Sequence, residues 1–162
     1  MRYLASALVV LATSLWLGGL VGLFICALAV FKISGLDHEA AGKATSAMFV
    51  AFGRCQLAVA ALALIGAFLA YVCRRGTLNI VLFLLFALGT LGAVCVNMLI
   101  IPRLEELRLA GKIKSPEFAT WHHHSAHVMM GMTLILLIAT MLIPAVCRQI
   151  AAPPKSASPG AG

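Results

Sequence analysis

"RCQLAVAALALIGAFLAYVCRRGTLNIVLFLLFALGTLGAVCVNMLIIPR", residues 54 to 103, carries no charge between its outer arginines except the adjacent Arg74 and Arg75. Crossing a hydrocarbon core of about 30 Å takes roughly 20 apolar residues of α-helix, and each half of this stretch supplies them. The two halves therefore read as antiparallel transmembrane helices joined by the tight turn "CRRGTLN". The same spacing recurs on both sides: no acid or base stands between Arg2 and Lys32, nor, histidines aside, between Glu117 and Arg148. Runs this long and continuous exclude the alternating strands of a closed barrel, the other way to satisfy backbone groups in lipid. The expected fold is all-α, an integral membrane four-helix transmembrane bundle with helices near 4–31, 48–73, 78–101 and 119–147, forming one domain over 1–149.

Composition agrees. With 62% apolar and 10% charged residues and a mean hydropathy of +1.05, the chain cannot be a globule with a polar skin. The isoelectric point near 9.6 comes from cations scattered at helix ends with no basic stripe, which points to lipid headgroups as the partner and away from nucleic acid. Cys26, Cys55, Cys73, Cys95 and Cys147 lie in or at the ends of helices without C-x-x-C spacing, so they read as small membrane residues, not a disulfide framework or zinc site. The basic-then-apolar start and the Ala27-x-Ala29 pattern resemble a secretory signal, but the run is too long for one, and a retained first helix is expected. Residues 150–162, rich in Pro, Ser and Gly, are expected to be a disordered tail. Cations are nearly balanced across the membrane; the short Arg-Arg hairpin without acids places the termini in the cytoplasm of a cell (plasma or inner) membrane.

Helices associate in lipid where small residues let backbones approach. Ser14, Gly18 and Gly22 form such a stripe on the first helix, and Gly53, Gln56, Ala60, Ala63, Ala67 and Ala70 form one on the second. Both stripes are expected to look inward, and the Gly18/Gly22 and Ala60/Ala63/Ala67 faces are candidates for homo-oligomer contacts. Thr90, Ala93 and Asn97 share a face of the third helix, which makes Asn97 an interhelical hydrogen-bonding residue.

Even-numbered crossing gathers Arg54, Gln56, Asn97, His122, His123, His124, Ser125 and His127 on the side of the two longer loops. Polar groups at membrane depth tend to face a cavity or a partner, so their collection suggests a polar vestibule. No comparable group is expected near Arg74 and Arg75.

Helical phase divides the histidines. His123, His127 and Met130 fall within about 60° of one another, while His122, Ser125, Met129 and Met132 occupy a separate face about 80° wide. The first set has the i, i+4 imidazole spacing and the thioether that suit Cu(I). Haem is the other metal reading, but apart from His38 every histidine lies on the fourth helix, so a second axial ligand would have to come from that loop or from another copy. There is no nucleophile elbow, phosphate-cradling Gly-rich loop or H-E-x-x-H, so no enzyme is expected. In "IPRLEELRLAGK", Pro102 should end or bend the third helix, Leu104, Leu107 and Ala110 should line one face of a short amphipathic turn, Glu105 and Arg108 should pair, and Gly111 should terminate it.

"SLWLGG" in the first helix, "AGKATSAMFVAFGR" leading into the second, "IPRLEELRLAG" after the third and "FATWHHHS" leading into the fourth occur in an order that resembles the domain-of-unknown-function 4149 family, which includes proteins similar to transmembrane protein 205. The resemblance spans residues 13 to 136. It implies a four-helix integral membrane protein without an established activity. The matching residues are Trp16, Gly18 and Gly19; Gly42, Phe52 and Arg54; Pro102, Leu107 and Arg108; and Phe118, His122 and Ser125. Its H-x-x-S pattern favours the His122 face, with Arg54 across from it, over the His123/His127 pair. Trp121 replaces the aliphatic residue of the family pattern and pulls His122 towards headgroup level.

The leading expectation is a membrane protein that binds a small polar ligand or ion through Arg54, Gln56, Asn97, His122 and Ser125, in a transport role and without a cofactor. One alternative is a redox subunit holding copper, or a haem shared in a dimer, through His123, His127 and Met130. Another is a membrane scaffold.

Overall fold

The computed structural model describes residues 2–32 and 35–151. Its elements are α1 (Arg2–Lys32), α2 (His38–Cys73), α3 (Thr77–Cys95), a π-helical turn (Val96–Ile100), α4 (Ile101–Leu109) and α5 (Pro116–Ala151). Four helical stretches, with α3, the π turn and α4 counted as one, are long and apolar enough to cross a membrane, and no strand occurs among the described residues. Consecutive stretches run antiparallel around a ring, α1 beside α2, α2 beside α3, α3 beside α5 and α5 beside α1.

The core is a column of large side chains from α1, α3 and α5, including Trp16, Leu20, Leu82, Phe86, Leu136 and Val146, packed against the alanines of α2. Leu15, Ile25, Leu62, Ile65, Leu84, Leu91, Leu134 and Met141 point outward and are at least half exposed or close to it. So extensive an apolar surface is stable only when lipid covers it. Cys26 and Cys55 are also exposed, and all five cysteines are free thiols.

Local chemistry explains where the helices stop and where they outrun the apolar spans. α2 starts ten residues before the expected boundary because Asp37 caps it, its carboxylate accepting from the Ala40 N–H at 2.7 Å. Glu39 in the first turn and its 2.8 Å ion pair with Lys43 support a polar helical extension that charge spacing alone leaves out. α5 likewise begins early, at Pro116, with the Phe118 N–H donating to the Ser115 hydroxyl at 3.1 Å. α4 ends at the expected glycine: Gly111 has φ 71°, and the Lys112 N–H bonds the Leu107 carbonyl at 2.9 Å.

Pro102 neither ends the third span nor simply bends it. Proline lacks the N–H that a regular helix would give to the carbonyl four residues back, and its ring crowds that carbonyl. Here the preceding turn widens, with the Ile101 N–H reaching the Val96 carbonyl five residues back, and the chain continues into α4.

The small-residue stripes divide. On α2, Ala60, Ala63, Ala67 and Ala70 are fully buried inside the bundle, so that face is unavailable for an oligomer. On α1 the stripe faces outward, contrary to expectation. Gly18 is exposed, and nothing lies within 4 Å of where a Cβ would stand at Gly18 or Gly22. α1 buries the opposite face, Val9, Thr13, Trp16 and Leu20, because the bulk of Trp16 fills the centre of the ring. α5 is helical through Ala151; the remainder of the expected tail lies outside the described residues.

Candidate functional site

Two of the expected polar residues meet inside the bundle. Asn97, in the π turn, donates to the Gln56 Oε1 at 3.3 Å and to the Ala93 carbonyl at 2.8 Å. Gln56, buried at 3% exposure, donates in turn to the Met132 sulfur on α5 at 3.8 Å. The pair ties three helices together, at a level where each interhelical bond is worth about 0.6 to 2 kcal/mol. Glycine makes room for it: a Cβ at Gly53 would collide with Asn97 Oδ1, and one at Gly92 would stand 2.8 Å from Met132 Cγ. The π turn sets the angle from which Asn97 approaches, which links the sequence signal at Pro102 to the site.

Above this layer a groove of about 450 Å³ opens between α2 and α4, lined by Ser46, Ala47, Val50, Ala51, Arg54, Glu105 and Arg108. Glu105 and Arg108 pair as their spacing predicts, Nη2 to Oε1 at 2.7 Å. The other carboxylate oxygen accepts from the Ser46 hydroxyl at 3.1 Å, which fastens α4 to α2. Arg108 Nη1 is buried and has no acceptor among the described residues. Arg54 is exposed at the mouth and makes no hydrogen bond or ion pair among the described residues. Ser46 and Glu105 carried no functional signal in the sequence; only the fold, by running α4 on from the third span beside the start of α2, brings them to Arg54. Beside the groove, Arg103 bridges Glu106 at 2.6 Å and Glu117 at 2.5 Å, holding α4 to the start of α5.

The histidines stay outside this arrangement. His122 is exposed and stacks on Phe118, with ring centroids 6.3 Å apart and planes inclined by 7°. Its helical face does turn inward lower down, where Met129 and Met132 are buried, and Ser125 is half-buried between His122 and Met129. No hydrogen bond or ion pair among the described residues joins His122 or Ser125 to Arg54. His123, His127 and Met130 are exposed on the outside of α5, and no three His, Cys, Asp or Glu side chains gather in a metal-binding group among the described residues.

At the opposite rim the structure corrects the expectation that nothing polar gathers near Arg74 and Arg75. Arg74 Nη1 donates to the Gln149 carbonyl at 2.6 Å, and the fully buried Asn79 donates to the Arg74 carbonyl at 2.6 Å. Gly76 again makes the room, since a Cβ there would stand 2.5 Å from Gln149 Nε2. Asn79 Oδ1 and Gln149 Oε1 are buried acceptors with no donor among the described residues. Asn79 and Gln149 went unnoticed because each is a single amide within a helix end, and only tertiary contact joins them to Arg74.

The model of a family described as a domain of unknown function, DUF4149, matches residues 11–113. That range runs from α1 through the groove and the amide pair to the loop that follows α4. No curated protein and no solved structure matches the chain.

Proposed function

The chain belongs to the DUF4149 family, and on that premise we propose that it is a non-enzymatic integral membrane protein that binds a small polar ligand or ion in the α2–α4 groove as one step in transporting it. The observation that carries this reading is the pair of arginines at the groove, Arg54 without a partner among the described residues and Arg108 with a buried nitrogen that has no acceptor there, beside a single carboxylate whose two oxygens are already engaged. Leaving the buried Arg108 nitrogen unsatisfied costs free energy that a bound acceptor recovers, and the exposed Arg54 supplies an attracting charge beside it. Gln56 and Asn97 lie below, where they would meet a solute moving deeper between α2, α3 and α5. His122 and Ser125 belong to the same rim through α5.

With the termini in the cytoplasm of a cell membrane, the groove opens on the far side. Thiol labelling of a cysteine introduced at Lys112 in intact cells tests that placement; protection from an impermeant reagent rejects it. The binding reading is tested by thermal unfolding of the full chain in detergent against small anions and cations. Stabilisation by at least one of them, lost in Arg54→Ala, is expected; no stabilisation by any, or stabilisation unchanged in Arg54→Ala, rejects it.

One observation favours a second reading, a scaffold of associated copies. Gly18 lines an open groove of about 440 Å³ between α1 and α5, with Ser14, Thr140 and Pro144. On that reading Gly18→Leu abolishes assembly while Arg54→Ala leaves function intact.

A further inference from the structure

We propose that the groove's occupant is a phosphate-bearing anion, gripped as a tetrahedral oxyanion between Arg54 and Arg108; the ligand chemistry is shared by free phosphate and by a phospholipid headgroup. This deepens the ligand-site reading above and rests on it.

Charge decides the sign of the ligand. Glu105 is the groove's one carboxylate, with Oε1 accepting from Arg108 and Oε2 from Ser46. It is therefore offset by Arg108, and the donors left without an acceptor among the described residues are the exposed Arg54 guanidinium and Arg108 Nη1, which is occluded in the empty groove and reaches a ligand only when its side chain shifts. The groove keeps one net positive charge, so a cation is repelled by Arg54, whereas an anion pairs with it.

Geometry decides its shape. The two arginines reach the groove from different helices, α2 and α4, so their donors approach a common ligand from different directions. A planar carboxylate offers two oxygens in one plane and is satisfied by a single guanidinium fork. A tetrahedral phosphate turns two oxygens to the Arg54 fork and a third, out of their plane, towards the one unengaged terminal nitrogen of Arg108.

Depth makes phosphate abundant there. Arg54 closes the uncharged stretch Cys55–Cys73, about 30 Å of helix, which sets it at the level of lipid phosphates. Ala47, Val50 and Ala51 give the groove an apolar wall, and the exposed faces of α2 and α3 carry Leu62, Ile65 and Leu91, a surface along which acyl chains can lie.

The test is calorimetric titration of the full chain, delipidated in detergent, with inorganic phosphate, short-chain phosphatidic acid, the matching diacylglycerol and acetate. Phosphate or phosphatidic acid is expected to bind, and about tenfold or more weakly in Arg54→Gln and in Arg108→Gln. Arg75→Gln, at the other rim, should bind as the parent does. Arg54 has no hydrogen-bond or ion-pair partner to lose among the described residues, so its variant reports on binding even if Arg108→Gln fails to fold. Binding of inorganic phosphate assigns the site to a free anion; binding of phosphatidic acid alone, with diacylglycerol inert, assigns it to a headgroup. Acetate binding through Arg54 while both phosphates fail overturns the phosphate assignment and leaves the ligand site standing. Binding of phosphate unaffected by Arg54→Gln also overturns it, and failure of every ligand removes both readings.

Discussion

The two rims of the bundle use the same parts to opposite ends. Each has an arginine where the hydrocarbon stops, a buried carboxamide nearby, and a glycine whose missing side chain lets an amide come close. At the terminal rim, Arg74 is committed to the Gln149 carbonyl, and the polar atoms left over, Asn79 Oδ1 and Gln149 Oε1, are acceptors. At the loop rim Asn97 donates to Gln56, and the charged groups left with unengaged donors among the described residues are Arg54 and Arg108, beside the unpartnered Thr45 hydroxyl. A cationic side chain at the membrane boundary is thus a clasp where the fold supplies a carbonyl and stays open to solvent where it does not. The difference lies in α4: by continuing past the π turn it adds a second arginine to the loop rim and a carboxylate that holds that arginine in place.

The largest effect should come from filling the space under the loop-rim amides. Gly53→Leu drives a side chain into Asn97, breaks its bond to Gln56 and pushes α2 from α3. Overpacking of this kind costs about 3 kcal/mol, and orphaned amides add to it. Thermal unfolding in detergent should show a large drop, and a variant as stable as the parent would mean that the amide layer does not depend on this close approach.

A smaller loss should follow at the terminal rim. Arg74→Leu removes the charged donor from the Gln149 carbonyl, and hydrogen bonds of charged groups are worth about 1.5 to 3 kcal/mol. The loss should localise, with faster hydrogen exchange in the last turn of α5 and little change around Asn97. Exchange that rises equally at both rims would argue that the clasp is part of one cooperative unit with the rest of the bundle.

The spans were legible because hydrocarbon imposes a length on any uncharged run, and Arg54, Arg74, Arg75 and Arg103 mark those lengths directly. Asn97 and Gln56 were each legible as facing the bundle because helical phase put both on faces rich in small residues; that they bond to each other follows only from the fold. What escaped was helix continuing into water. "SGLDHEAAGKATSA" and "KSPEF" carry capping chemistry at Asp37 and Ser115, which hydropathy does not weigh, so α2 and α5 were read too short. The groove was partly hidden for the same reason: Ser46 and Glu105 lie on the polar extensions, far apart in sequence, and meet only because α4 prolongs the third span beside the start of α2. The outward turn of the Ser14–Gly18–Gly22 stripe was hidden too, since a stripe of small residues marks a possible contact and the size of Trp16 decides which face of α1 goes inside.

The smallest expected effect is the sharpest test of the contrast. Arg54 is exposed and has no partner among the described residues, so Arg54→Gln should change the stability of the empty protein by no more than about 0.5 kcal/mol. Arg74→Leu removes the same charge from the opposite boundary and should cost several times that. If both arginines served only to anchor helix ends at headgroups, the two substitutions would be equivalent in delipidated protein and both nearly silent. A measurable loss for Arg74→Leu beside silence for Arg54→Gln separates the fold's own contacts from a group held ready for something outside the chain. A loss at Arg54 equal to that at Arg74 would instead mean that the loop-rim guanidinium already has a structural partner, and the surplus of donors on which the receptor reading depends would be gone.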